Sequence, residues 1–301
     1  MTEPLPLCFG SAERACAETL VRLALREDLA DVGDLTCNAL IAPEDRAEVH
    51  VVARTRGVVA GLPIGQLVFE ELGRRVVWIQ EVADGSIVEP EQVVARVVGP
   101  LATVLIGERT ILNFLTHLSG IASLTQRFVA EIAGTKAVVL DTRKTLPGWR
   151  ALAKYAVRAG GGTNHRIGLY DGVLIKDNHI AAWSRQVGNS SLQAAVRQAR
   201  SRTPKPLTIE IEVDTISQLH DVIDGKPDIV LLDNMTHEQL RKAVELRDAV
   251  APQIQLEASG GVTLATIRAI AETGVDRISI GALTHSAPSL DLAFDFFRIE
   301  R

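Results

Sequence analysis

Arg143, Lys144, His165, Arg166 and Lys176 fall within residues 141–179, DTRKTLPGWRALAKYAVRAGGGTNHRIGLYDGVLIKDNH, of a 301-residue chain whose formal net charge is −5. Guanidinium, ammonium and imidazole groups gathered this closely are chemistry for gripping an anion, because Arg in particular holds carboxylate or phosphate through two parallel N–H donors. A buried, unpaired charge costs several kcal/mol, against a domain stability of only ~5–15 kcal/mol. The cluster is therefore solvated, paired internally or kept for a ligand, and Asp141 by itself cannot neutralise so many partners. The apolar run KAVVL precedes Asp141 and GVLI precedes Lys176, with a Gly-rich turn at 160–162 leading into the His165–Arg166 pair. Cations at the ends of apolar strands favour a pocket for a small, multiply charged anion over a solvated basic face.

The elements that must position these residues follow from the pattern after Gly134. Short apolar runs, KAVVL, GVLIK, LTIEIEV, DIVLL, IQLEA and DRISI, alternate with helical stretches at 149–159, 192–200, 216–223, 237–249 and 264–273. Such alternation means a parallel sheet buried on both faces, either open or closing toward a barrel but short of eight strands. We expect an α/β fold: an incomplete parallel α/β barrel of about six strands, preceded by a smaller α+β sandwich domain.

The residues at the strand ends carry the functional argument. They are Asp141 with Arg143 and Lys144, Lys176 with Asp177 and Asn178, Glu212 with Asp214, and Asp233 with Asn234. The last two runs end in Ser259-Gly260-Gly261 and Gly281-Ala282. Parallel α/β sheets place ligands at this edge. Small residues in the last two loops would let backbone N–H groups approach a phosphate, or serve only as tight turns. Glu212 and Asp233 would hold Mg²⁺ or ribose hydroxyls, or act as ion-pair partners of Lys144 or Lys176.

The first half of the chain shows less chemistry. Residues 11–29 read as an amphipathic helix with Leu20, Val21, Leu23 and Ala24 on one face, followed by a turn at Gly33-Asp34 in which Asp34 serves as a local cap. From Glu48 to Pro100 Val-rich runs suggest a small antiparallel sheet, with DGSIVEPEQVVARVVGP forming a hairpin at an Asp-Gly turn. Residues 101–132 read as helical with a break at Ser119-Gly120, carrying Glu108 and Arg109 together and a packed or interface histidine, His117. A last helix over 290–297 is expected to pack back on the N-terminal domain. The expected domains are 1–115 (α+β), 116–286 (α/β barrel) and 287–301 (C-terminal helix).

Composition excludes several classes. An acidic chain is unsuited to binding nucleic acid by phosphate neutralisation. Cys8, Cys16 and Cys37 show no CxxC spacing and fit a reducing, cytoplasmic setting. No apolar run approaches the ~18 residues of a membrane span, and MTEPLPLCFG lacks the layout of a secretion signal.

The phrases DTRKTLPG, AGGGTNHRIGLYDGVLIKDNH, IEIEVDT, VLLDNM, EASGGV and RISIGALTHSA resemble the quinolinate phosphoribosyltransferases (decarboxylating nicotinate-nucleotide pyrophosphorylases) over nearly the whole chain. The resemblance implies transfer of a phosphoribosyl group from phosphoribosyl pyrophosphate to quinolinate with decarboxylation, in NAD biosynthesis, with Mg²⁺ as cofactor. It implies a homodimer, in which Arg109 reaches the neighbouring site. Arg109, Arg143, His165, Arg166 and Lys176 would grip the quinolinate carboxylates, and Lys144 and Lys176 would face the pyrophosphate. Glu212 and Asp233 would bind ribose hydroxyls and Mg²⁺, while Ser259, Gly260, Gly261, Gly281 and Ala282 would hold the 5-phosphate. The family's GDxT segment implies more for Asp34 and Thr36 than a turn. Two rivals stay open: molybdenum-linked paralogues, against which Lys176 argues, and a non-catalytic anion-binding protein, against which Glu212 and Asp233 argue.

Overall fold

The computed structural model describes residues 7–73, 76–188, 191–203 and 207–300. The first six residues of MTEPLPLCFG, and Arg74 and Arg75 at the start of the expected strand RRVVWIQEV, lie outside them. In chain order the elements begin α1 (Ser11–Leu29), α2 (Leu35–Leu40), β1 (Arg46–Ala53), β2 (Gly57–Val58), α3 (Pro63–Glu71), β3 (Val77–Gln80), β4 (Ile87–Val88), β5 (Val93–Pro100) and α4 (Leu101–Glu131). Then follow β6 (Val138–Leu140), α5 (Arg150–Ala159), β7 (Val173–Ile175), α6 (Asp177–Val187), α7 (Leu192–Arg202), β8 (Ile209–Val213) and α8 (Ile216–Ile223). The chain finishes with β9 (Ile229–Asp233), α9 (His237–Val250), β10 (Gln255–Ser259), α10 (Ile267–Ala271), β11 (Arg277–Ser279), α11 (Ala282–His285) and β12 (Leu292–Glu300).

Two compact units divide the chain: Met1–Gln126 with Lys144–Gly161 and Ala282–Arg301, and Arg127–Arg143 with Gly162–Gly281. Helix α5, expected inside the barrel segment, therefore belongs with the N-terminal elements. The reason is specific bonding. Tyr155 donates its hydroxyl to Asp84 at 2.6 Å, Arg158 pairs with Glu13 at 2.8 Å, and Phe9 meets the Tyr155 ring edge-on.

The first unit carries an antiparallel sheet in the order β12-β1-β5-β3, and a separate β2-β4 ladder. Three expectations change here. The segment 290–297 is not a helix: from Leu292 it is strand β12, paired antiparallel with β1 from Ala53↔Leu292 to Arg46↔Glu300. The Asp-Gly turn does not join a hairpin, since β4 pairs with β2 and β5 with β1 and β3. Asp84 instead accepts the Gly61 and Leu62 N–H groups at 2.9 and 3.0 Å. The break at Ser119-Gly120 is absent, and α4 runs through it. Ser119 accepts the Ala60 N–H at 3.0 Å, and a Cβ at Gly120 would lie 2.2 Å from the Pro288 carbonyl oxygen. The glycine is there for a close approach of backbone to helix. On α1 the buried stripe is Ala17, Val21 and Leu25, at i, i+4, i+8, and Leu23 is exposed. Asp34 is the N-cap of α2, accepting the Thr36 and Cys37 N–H groups, the ordinary use of Asp at that position.

The second unit is a six-stranded, all-parallel sheet in the order β6-β11-β10-β9-β8-β7. All six expected runs are strands, and among the described residues β6 and β7 are not paired with each other, so the sheet is open between them. Helices α8 and α9 start where the sequence reads Thr-x-x-Gln: Thr215 and Thr236 accept from the Gln218 and Gln239 N–H groups, and each Gln reaches back. These are capping boxes. No helix among the described residues is long and apolar enough to cross a membrane.

Overpacking a filled contact costs roughly 1–3 kcal/mol. Gly120→Val is expected to destabilise the protein by that order, read as a lower urea midpoint, whereas a flexible break at Gly120 would make the change neutral or stabilising.

Candidate active site

Registered parallel strands point matching residues to one face. Lys176 follows β7 level with Glu212 on β8, and the two form an ion pair. One register step inward on the same strand is Glu210, and two strands further, on β10, is Glu257, beside Arg277 of β11. Asp233 and Ser259 are register partners at the ends of β9 and β10.

Asp141, fully buried after β6, accepts the Asn164 amide at 2.6 Å and the His165 backbone N–H at 2.9 Å. It anchors the loop that delivers the His-Arg pair. The loop closes on itself. Asp171 accepts the Ile167 and Gly168 N–H groups at 2.7 and 2.8 Å, and Arg166 donates one terminal guanidinium nitrogen to the Gly172 carbonyl at 2.8 Å.

Arg143 and Arg166 each keep a buried Nε–H with no hydrogen-bond partner among the described residues. Burial, and next the charge of Arg143, push the Arg166 guanidinium below its ordinary value. Two cations close enough to repel, each with a desolvated donor unmatched, describe a receptor for an oxyanion. Leaving such a donor unmatched costs about 1–3 kcal/mol, which a carboxylate or phosphate oxygen would offset.

Behind this pair, His165 Nε2 lies 3.0 Å from Glu210 and 3.5 Å from Glu257, and Arg277 bonds the other oxygen of Glu257 at 2.8 Å. Burial alone would push His165 down; the hydrogen bonds to Glu210 and then Glu257 overcome it and carry the imidazole up to about 9. Burial also raises both carboxyls. His165 and Arg277 bring Glu257 below the ordinary range, whereas Glu210, with the Glu257 charge beside it, stays above. His165 Nδ1 accepts the Arg166 backbone N–H at 2.7 Å, which opposes a second ring proton. In either protonation state Nε2 carries a proton toward the carboxylates.

At the ends of β9 and β10 glycine sets the geometry of the loops. Gly260 has φ +101°, and a Cβ there would lie 2.1 Å from the Asn234 side-chain oxygen; Gly261 has φ +60°. Asn234, itself at φ 51°, donates its backbone N–H to the Ser259 carbonyl at 2.9 Å and its amide to Asp233 at 2.7 Å. The loops after β9 and β10 thus interlock. Helix α10 begins only at Ile267, later than the expected 264, so Ser259, Gly260 and Gly261 present loop backbone rather than a helix start.

Not every expected residue is gathered at one place. His165, Arg166, Glu210 and Arg277 line a cavity of about 870 Å³ that extends past Thr208, Asp228 and Gln255 at the N-terminal ends of the strands; Lys176, Glu212 and Asp233 do not line it. Gly281 closes the second unit, while Lys144, Ala282 and Arg109 belong to the first. There Lys144 lines a cavity of about 340 Å³ with His117, Thr284 and His285. His117, half-buried, meets the Trp149 ring edge-on, and burial lowers it. Arg109 is exposed on α4.

Comparison with known proteins decides the lineage. Residues 121–295 match the family described as quinolinate phosphoribosyl transferase, C-terminal domain, and residues 34–119 match its N-terminal domain. The chain belongs to the quinolinate phosphoribosyl transferase family. Among the similar members of that family are the nicotinate-nucleotide pyrophosphorylase [carboxylating] of Mycobacterium leprae, 44% identical over 95% of this chain and 99% of that one, and the probable enzyme of Bacillus subtilis, 42% identical over 87% and 88%. The crystal structure of nicotinate-nucleotide pyrophosphorylase from Ehrlichia chaffeensis superposes with a TM-score of 0.85, at 40% identity, over 92% of this chain and 97% of that one. The quinolinate phosphoribosyl transferase fold, a parallel α/β unit with a separate antiparallel-sheet unit, is the fold seen here. Sequence reasoning passes over Glu210 and Glu257; the available signal is a glutamate in the middle of a strand buried on both faces, which must find a partner.

The Glu210 contact raises the imidazole while the Arg166 N–H at Nδ1 opposes its second proton. Glu210→Gln removes only the first, so the His165 titration followed by NMR is expected to move down in the variant, and an unchanged titration would remove Glu210 as the cause.

Proposed function

We propose that this chain transfers the phosphoribosyl group of phosphoribosyl pyrophosphate to quinolinate with loss of CO₂, giving nicotinate mononucleotide and pyrophosphate, a step of NAD biosynthesis. Family membership over nearly the full length supports the reaction. The observation that carries the substrate is the pair of unmatched, buried Nε–H donors of Arg143 and Arg166, suited to a compound with two ring carboxylates.

In this reading Arg143, Arg166 and Lys176 grip the carboxylates, joined by Arg109 from the partner subunit of a homodimer. His165, its Nε2 on Glu210 and its Nδ1 on the Arg166 N–H, stands behind Arg166 and supports it. Lys144 and Lys176 face the pyrophosphate. The Lys176–Glu212 pair is the resting arrangement, which the incoming anion loosens. Ser259, Gly260, Gly261, Gly281 and Ala282 offer loop backbone N–H groups to the 5-phosphate. Glu212 and Asp233 hold ribose hydroxyls. Their oxygens are also the donor class magnesium takes, and as two carboxylates they fit an ion bound largely through substrate and water. When bound, that ion would supply charge neutralisation for the departing pyrophosphate. Cytoplasmic location belongs to the same proposal, in keeping with Cys8, Cys16 and Cys37 as free thiols.

The chemistry needs no covalent nucleophile. The pyridine nitrogen lone pair forms the bond to the anomeric carbon as the bond to pyrophosphate breaks, its electrons leaving with pyrophosphate. The carboxylate beside the now cationic nitrogen then departs as CO₂, its bonding electrons pass to the ring carbon, and a proton replaces it. The protein's part is positioning and charge stabilisation.

Purified protein with quinolinate, phosphoribosyl pyrophosphate and Mg²⁺ is expected to release CO₂ and pyrophosphate in equal amounts, with loss of activity on chelation. Arg166→Lys should lower kcat/KM for quinolinate by roughly 10- to 100-fold, the worth of a charge-assisted hydrogen bond. Pyrophosphate without CO₂, from nicotinate or another acceptor, would overturn the substrate. Binding of phosphoribosyl pyrophosphate with neither product would favour a non-catalytic anion binder.

A further inference from the structure

Among the described residues, one trio offers metal-ligating atoms close together, His165, Glu210 and Glu257, with those atoms all within 4.8 Å of one another; the two glutamates have no role assigned above. The hydrogen bonds argue against a cation. A histidine that ligates through Nε2 needs that nitrogen unprotonated, with the proton on Nδ1. Here Nδ1 accepts the Arg166 N–H at 2.7 Å, so the proton sits on Nε2, facing the carboxylates.

The trio does something else. Glu210 is 3% exposed and Glu257 is 0% exposed, and each sits mid-strand in the parallel sheet, where a carboxylate is held only by a partner. Glu257 has Arg277. Glu210, two strands away, lies 3.0 Å from His165 Nε2. The ring is therefore held at Nε2 from strand β8, with Glu257 of β10 at 3.5 Å, and at its other nitrogen it takes the backbone N–H of the next residue. That residue is Arg166, whose guanidinium is braced by the Gly172 carbonyl with its Nε–H left unmatched. Asp141 holds the His165 backbone, Asp171 closes the loop behind Arg166, and the charge of Arg143 acts on Arg166.

We propose that Glu210 is a positioning residue that holds the His165 ring from inside the sheet, beside a Glu257 that Arg277 keeps in place, and thereby fixes the backbone and guanidinium of Arg166 for the substrate carboxylate. The inference rests on the quinolinate reading above for the identity of that carboxylate, but the clamp is a property of the chain. A ring fixed at Nε2 by Glu210 of β8 and at Nδ1 by its own loop does not swing. The N–H of Arg166 therefore stays directed at Nδ1, and the guanidinium leaves the backbone along one course. The two glutamates touch no substrate in this account.

The test uses full-length protein and two readouts. Glu210→Ala is expected to raise the quinolinate KM roughly tenfold or more, the effect of misplacing a first-contact group, with the phosphoribosyl pyrophosphate KM within about twofold of the parent. Glu210→Gln, which keeps an acceptor oxygen, should recover the quinolinate KM to within about threefold. Independently of turnover, the His165 Nε2 proton should give a slowly exchanging, downfield NMR resonance in the parent and in Glu210→Gln that is lost in Glu210→Ala. Should Glu210→Ala fail to fold, Glu210→Asp withdraws the carboxylate by one methylene and is expected to show both effects in reduced form. An unchanged quinolinate KM, an equal rise in both KM values, or a resonance that survives Glu210→Ala would overturn the proposal. A parent protein that does not use quinolinate, with the resonance behaving as stated, would overturn the substrate reading and leave the clamp standing.

Discussion

Two guanidinium groups whose charges act on each other, each with a buried Nε–H that no atom of the described residues accepts, set the terms for the rest of the second unit. Like charges at short range in a partly desolvated setting raise the energy of the folded chain. They persist only if packing and hydrogen bonding over-determine them. The structure shows how. Asp141 is fully buried and holds the loop that carries His165 and Arg166, Asp171 closes that loop, and the Gly172 carbonyl braces the Arg166 guanidinium. Glu210, inside the sheet, holds the histidine next to it. In the proposed reaction, a negatively charged substrate would accept hydrogen bonds from the donors left over.

The parallel sheet makes this economical in residues. Register alone places Lys176 level with Glu212 and Asp233 level with Ser259. Neighbouring strands thereby bring charged side chains from distant parts of the sequence to one edge of the sheet, the edge at which parallel α/β sheets bind ligands. The first unit has a different logic. Its sheet is completed by the last strand of the chain, and its long helix passes the returning chain at Gly120 so closely that no side chain fits.

What the sequence reveals depends on how local the cause is. The six parallel strands are legible because strands buried on both faces read as short apolar runs, and capping-box threonines mark the starts of α8 and α9. Strand β12 reads wrongly as a helix because LDLAFDFF carries apolar residues on more than one helical face. What decides it is the open edge of β1, far away in sequence, against which Leu292 and Phe294 turn inward. The false break at Ser119-Gly120 has the same origin, since a small pair inside a helix marks a crossing as readily as an end. Helix α6 is hidden because the residues before it, LIKDNH, read as a strand end carrying chemistry; its Gly188 stop, at φ 64°, is the signal that could have found it. In the site, the cations and strand-end carboxylates are visible as residue types. Glu210 and Glu257 are passed over because, although a sheet buried on both faces requires a partner for each, their partners His165 and Arg277 come from other segments that only the folded chain brings near.

The central claim is that the Arg143 and Arg166 Nε–H groups are the receptor for a substrate carboxylate. A crystal structure of the protein with quinolinate bound tests it most directly. The account predicts a carboxylate oxygen within hydrogen-bond distance of each Nε, with the His165 ring still held by Glu210. Quinolinate seated elsewhere, or both Nε–H groups bonded to protein atoms in its presence, would contradict it.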